Sequence, residues 1–330
     1  DARTMDSLPI DTAPHTSVAE HHTFRPRRQT QQSLPMQHTL RHAISAVGIG
    51  LHTGQSIRIS LQPAPVGHGV VFQRTDLPQA APLPARYDSV IDTRLSTVLG
   101  QQAHPENRIA TVEHLMAALN GCGIDNVLVL VDGPEVPVFD GSSTDFVFLL
   151  DCAGRTQQTL ARKMFEVLEP VRVEHGNAFV ELLPSTSPGL SLSLSIEFSA
   201  RAIGRQAYTL DLTPTSFRTE LAASRTFTLR EEIDALHQAG LARGGSLDNA
   251  VVVDGEHVLN PSGLRSPDEF IRNKMLDAVG DLYLAGGALQ ARLRGHRSGH
   301  GLNNQLLRKL FARHSAWREV GSVAASAAAA

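Results

Sequence analysis

The chain has 330 residues, 42% of them apolar and 19% charged, with a formal net charge of -3. That is enough chain for two ordinary domains, each able to bury its own core, and the charge balance excludes a global basic field of the kind that holds nucleic acid or an anionic membrane. The two cysteines, Cys122 and Cys152, lie in or beside apolar segments, which excludes a disulfide framework or a cysteine zinc site and fits a reducing compartment. No apolar run reaches about 18 residues, and the first residues lack the charged-then-apolar layout of a secretory signal. The expectation is a cytoplasmic protein with no transmembrane segment.

In chain order, residues 1–36 are polar, rich in His, Thr, Gln and Pro, and read as a disordered extension. A first domain is expected over 37–157. Val47 to Gly54, V-G-I-G-L-H-T-G, reads as a glycine-rich turn before a strand. Its glycine spacing matches neither dinucleotide nor P-loop motifs, which precede helices, but His52 in that turn can still reach a phosphate. Ile57, Ile59 and Leu61 alternate and Val70, Val71 and Phe72 form an apolar run, both strand signals. Val112, Leu115, Met116 and Leu119 recur at helical spacing, with Thr111 as the expected cap and Gly121 as the expected stop. Asn126 to Val131 reads as a buried strand closed by the turn Asp132-Gly133-Pro134.

The polar stretch Gly154 to Lys163 reads as a link to a second domain over 158–320. There Val171 to Leu182 predicts a hairpin turning at Gly176-Asn177, and Leu190 to Phe198 alternates strictly as a strand. Thr228 with Glu231 predicts a capping box for a helix ending before Gly240. Ser266, Pro267 and Glu269 predict the start of a second helix, with proline at its first position. Residues 321–330 form an alanine-rich tail expected to be disordered. Strands followed by helices in both halves predict an α+β duplication: two similar domains, each a β-sheet packed on helices in a two-layer sandwich.

Two constellations carry chemistry. Glu113 and His114 stand side by side on one predicted helix, and Asn273, Asp277 and Asp281 share one face of another, being four residues apart. A hydrolytic metal needs about three protein ligands, an open position and a nearby carboxylate base. The ordinary alternative is that a polar helical stripe is a solvated face and that Glu113-His114 is a surface pair. H-E-x-x-H is absent, so the zinc metalloprotease signature is not met.

Together V-G-I-G-L-H-T-G, T-V-E-H-L-M-A-A-L, G-I-D-N, D-G-S-S, S-R-T-F, G-G-S, K-M-L-D-A-V-G-D-L and S-G-H-G-L-N-N, in this order from about Gln37 to Arg318, resemble the UDP-3-O-acyl-N-acetylglucosamine deacetylases. These are zinc hydrolases of lipid A synthesis. The resemblance implies two similar α+β domains with the active site between them. It implies His114 and Asp277 as zinc ligands, Glu113 as the base that activates water, and His300 as the cationic acid that protonates the amine. By the same likeness Asp281 would orient His300, Thr226 would donate to the oxyanion, and Phe227 would pack on the sugar. Lys274 and His52 would meet the anionic or sugar parts of the ligand, and Leu229, Ile233 and Leu236 would line an acyl-chain passage. The implied substrates are UDP-3-O-acyl-N-acetylglucosamine and water, with one Zn2+ per chain and a monomeric enzyme.

At the third ligand position the family has histidine and this chain has Asn273. An amide offers only a neutral carbonyl oxygen, a poor zinc donor beside imidazole. Two readings follow: a working deacetylase with an unusual ligand set, or a non-catalytic relative that binds the nucleotide-sugar lipid without turnover. The presence of Glu113, His300, Asp281 and Thr226 favours the first. A third reading, RNA binding, lacks a basic stripe and an aromatic platform.

Overall fold

The computed structural model describes residues 35–321. The expected extension and tail therefore fall outside the described residues except at their inner ends. Met36 already begins the first strand, one residue inside the segment read as an extension.

The first half contains β1 (Met36–Leu40), β2 (Ile44–Ile49), β3 (Ser56–Pro63), β4 (Val70–Arg74), β5 (Leu83–Pro84), β6 (Val90–Asp92), β7 (Val98–Gln101), β8 (His104–Ile109), α1 (Glu113–Gly121), β9 (Val127–Val131) and α2 (Thr144–Ala153). Strands β2-β3-β9-β4-β5 make one sheet and β6-β7-β8 a smaller one. Alternation does its expected work in β3, where Ile57, Ile59 and Leu61 are buried and their neighbours face outward. β10 (Arg155–Ala161) pairs antiparallel with β1, so the polar stretch read as a link is itself a strand.

The second half contains β11 (Met164–Val167), β12 (Val171–His175), β13 (Ala178–Leu183), β14 (Leu190–Glu197), β15 (Arg205–Asp211), α3 (Pro214–Ser216), β16 (Phe227–Leu229), α4 (Arg230–Gln238), β17 (Val251–Asp254), β18 (His257–Val258), α5 (Glu269–Tyr283), β19 (Ala288–His296), α6 (His300–Ala312) and β20 (Trp317–Val320). Strands β12-β13-β19-β11-β20 form a path to which β14 and β15 add along the other edge of β19. A small sheet β16-β17-β18 accompanies α4. The β12–β13 hairpin turns at Gly176-Asn177 as predicted, with Gly176 at φ 58°. The α+β duplication holds: each half is a larger sheet backed by helices, with β1-β10 and β6-β7-β8 as small accessory sheets in the first half and β16-β17-β18 in the second.

Helix α1 is buried almost throughout, which is why it is apolar nearly all round. Leu115, Met116 and Leu119 each contribute about 1.5–3 kcal/mol by leaving water. It packs against α5 at a very close crossing. A Cβ on Gly280 would lie 1.9 Å from the Glu113 carbonyl oxygen, so only glycine allows this approach.

The helix ends differ from their predicted caps. Thr111 does not cap α1; it sits at φ 60°, and the residue before the helix is Val112. The left-handed glycine at the other end is Gly123, beyond Gly121 and Cys122. At α4 the carboxylate that accepts the Leu229 N–H belongs to Glu232, not Glu231, because Thr228 lies in β16 and the helix starts later. At α5 Pro267 precedes Asp268 and the helix, and Glu269 is not a cap because it turns inward to Arg225.

Candidate active site

Positions 273, 277 and 281 on α5 are 2%, 7% and 2% exposed, so the polar stripe is not a solvated face. Glu113 and His114, in the first turn of α1, are equally buried. The α1–α5 crossing brings the two constellations together. His114 Nε2 lies 3.0 Å from Asp277 Oδ1, and Asn273 Nδ2 lies 3.4 Å from the same nitrogen. Lys274 Nζ reaches Asp277 Oδ2 at 3.3 Å.

His300 opens α6 and completes the cluster. Its Nδ1 donates to Asp281 Oδ2 at 2.8 Å, and its Nε2 lies 3.5 Å from Glu113 Oε1. A helix N-terminus and burial both oppose a cation there, but Asp281 first and Glu113 second overcome burial, and the imidazole is pushed up to about 10. Burial pushes the Glu113 carboxyl above the ordinary carboxylate range, against the pull of the His300 cation. Burial also opposes the Asp277 carboxylate, yet Lys274 and the hydrogen bond from His114 hold it well below that range. The His114 imidazole is raised, burial notwithstanding, by its bond to Asp277. A carboxyl with raised proton affinity beside a cationic imidazole is the pairing that general acid–base chemistry uses.

In a tetrahedral ion with ligands at about 2.0–2.1 Å, neighbouring donor atoms lie about 3.3 Å apart. The spacings from His114 to Asp277 and to Asn273 are of that size. Among the described residues no three His, Cys, Asp or Glu side chains gather as a metal group, because the third corner is the Asn273 amide. Its oxygen can take the place of its nitrogen by a half-turn about the terminal bond, since the two ends are nearly isosteric. That turn gives up a weak 3.4 Å contact with the Ser224 carbonyl. The set therefore fits a divalent cation with two strong donors and one weak one.

The remaining predicted residues stand around two cavities, except Leu229, which lines neither and packs against the core. Thr226, Phe227 and His52 line one of about 810 Å³ with Leu51, Ile233 and Leu236. Both ring nitrogens of His52 are buried with no protein partner, and burial lowers its proton affinity. Lys274 lines a second, of about 590 Å³, with Arg297 and Ser298. Lys274 and His52 thus face different cavities. Lys274 Nζ also stands 5.4 Å from the Phe227 ring centroid, which joins the two regions. A buried ion pair, Arg225 with Glu269, ties the segment carrying Thr226 to the start of α5.

The family model for UDP-3-O-acyl N-acetylglycosamine deacetylase matches residues 37–312. The chain belongs to this family. A UDP-3-O-acyl-N-acetylglucosamine deacetylase of Idiomarina loihiensis is 46% identical over 285 residues, covering 86% of this chain and 92% of that protein. The protein of the same name in Acidithiobacillus ferrooxidans is 46% identical over 284 residues, covering 86% and 92%. That of Phenylobacterium zucineum is 46% identical over 283 residues, covering 86% and 95%. Membership in the deacetylase family bears out the resemblance carried by the motifs.

Sequence reading missed three residues around the candidate site. Asn303 donates to Asp281 Oδ2 at 2.9 Å, and its signal lay unused in S-G-H-G-L-N-N. Glu135 is buried and accepts from the His52 and Thr53 backbone N–H groups and the Thr53 hydroxyl, holding the turn that carries His52. Thr97 contacts both Glu113 and Asp281, and nothing in its local sequence marks it.

Proposed function

We propose that this chain hydrolyses the acetamide of UDP-3-O-acyl-N-acetylglucosamine, releasing acetate and the free amine at an early step of lipid A biosynthesis. The observation that carries the reading is the buried line Glu113–His300–Asp281 beside His114 and Asp277, in a chain of this family. Glu113 takes a proton from the attacking water as oxygen bonds to the acetamide carbon. Thr226 donates to the carbonyl oxygen as it gains charge. His300 gives its Nε2 proton to the departing nitrogen, so the C–N bond breaks to an amine, and Asp281 keeps the imidazole oriented at Nδ1. A divalent cation, zinc in this reading, would be held by His114, Asp277 and the Asn273 carbonyl oxygen, where it would polarise the carbonyl and make water more acidic.

The binding surface is assigned to the same ligand. The 810 Å³ cavity, walled by Ile233, Leu236 and Phe227, suits an acyl chain, and the unpartnered His52 nitrogens offer it a polar contact. Lys274 and Arg297 supply positive charge for a diphosphate in the neighbouring cavity. The reading keeps two α+β domains, 37–157 and 158–320, in a cytoplasmic monomer. Among the described residues no helix is long and apolar enough to cross a membrane.

The test is acetate release from the UDP-sugar lipid by purified protein supplied with Zn2+. Release that vanishes in Glu113→Gln supports the assignment. Intact substrate with both the wild type and Asn273→His sinks it, and tight binding of the lipid in that case favours the non-turnover reading.

A further inference from the structure

Thr97, immediately before β7, is buried and spends all three of its polar groups on the reaction frame. Its N–H donates to Glu113 Oε2 at 3.1 Å, its hydroxyl donates to Asp281 Oδ1 at 2.6 Å, and its carbonyl accepts from the Val112 N–H at 3.4 Å. Glu113 is the base and Asp281 the partner of the acid, so one residue touches both arms. Asp281 Oδ1 is held by Thr97, while Oδ2 takes the donors from His300 and Asn303. Without the hydroxyl, one oxygen of this buried carboxylate loses the donor the structure gives it, and the group can rotate away from His300.

The backbone supports the same conclusion. Thr111 holds φ 60°, a conformation costly for a β-branched residue, by about 1–3 kcal/mol. Its N–H is taken by Ser96 Oγ at 3.3 Å and that of Val112 by Thr97 O, so Ser96-Thr97 clamps the strained entry to α1. That entry sets where Glu113 begins the helix. A hydroxyl needing any buried acceptor could have used a local carbonyl; this one reaches across 184 positions to α5.

We propose that Thr97 is a positioning residue that sets base and acid in register, its N–H orienting Glu113 and its hydroxyl orienting Asp281 and, through it, His300. This rests on the deacetylase reading above. Thr97 lines neither of the two cavities.

The experiment is proton NMR of the intact protein for the His300 Nδ1–H, assigned by its loss in His300→Gln, alongside steady-state kinetics. A downfield line is expected in the wild type and in Thr97→Ser, which keeps the hydroxyl. It should shift or broaden away in Thr97→Val, with kcat about 10-fold lower and KM within about twofold. Thr97→Ala removes the same hydroxyl and serves if the valine variant does not fold. An unchanged His300 line and kcat in a folded Val or Ala variant overturn the proposal, as does a wild type without the line or a Ser variant that fails to restore it. If neither the wild type nor Asn273→His releases acetate, the functional reading fails, while the His300 line still decides the role of Thr97.

Discussion

Helices α4 and α5 both border the site, and they are built in opposite ways. In α5 every residue except Arg272 and Lys274 is buried, and its carboxylates are held from several directions by Thr97, His114, His300 and Asn303. In α4 no residue is buried; the half-buried Ile233 and Leu236 face a cavity that the exposed Glu231 and Glu232 also line, while Asp234 faces water. Proton transfer needs groups fixed within a fraction of an ångström, which packing on all sides provides. Holding a flexible apolar chain needs only area, and an element with few buried contacts adapts to it at low cost. In the proposed function, chemistry and capacity thus sit on separate supports.

That contrast can be broken most severely on the α1–α5 side. Glu113→Gln keeps an acceptor for the Thr97 N–H but removes the base, and kcat should fall about 10²–10⁴-fold with KM little changed. A KM rise without loss of kcat would move Glu113 out of the chemistry. Next comes Asn273→His, which restores an imidazole at the weak corner. Elemental analysis after dialysis against graded chelator should find zinc affinity higher by about 10–100-fold or more. Equal zinc retention in both proteins would mean that position 273 is not a ligand.

On the α4 side the effects should be smaller and of a different kind. Ile233→Ala removes apolar wall without touching the polar cluster, so KM for the long-chain substrate should rise about 5- to 10-fold with kcat within about twofold. Comparable losses with a short-chain analogue would show that the cavity does not take the chain. The mildest test uses pH alone. With His300 as the acid, its imidazole pushed up to about 10, the rate should fall to about half as pH reaches that value. Asp281→Asn removes the largest favourable influence on the cation and should bring that limb to lower pH. The stability linkage has the same sign: a histidine raised from 6.5 stabilises fully below that value and loses the contribution as pH climbs through about 10.

By itself the sequence determined what depends on near neighbours along the chain. Alternation in β3 and β14, the Gly176-Asn177 hairpin, the 3.6-residue pattern of α1 and α5, and the shared face of 273, 277 and 281 are all local periodicities. The ordered motifs identified the family for a related reason: residues that carry chemistry tolerate few substitutes, so their types and order persist as text. Cap positions were less legible, because Thr111 and Glu269 are chosen by partners elsewhere, Ser96 for one and Arg225 for the other. Only the tertiary structure decided that α1 and α5 cross at Gly280, that this crossing buries both polar groups together, that Thr97 and Asn303 join them, and that Glu135 holds the His52 turn while Arg297 lines the Lys274 cavity. Those contacts link residues far apart in sequence, and their energy depends on the crossing geometry of packed elements, which no local pattern encodes.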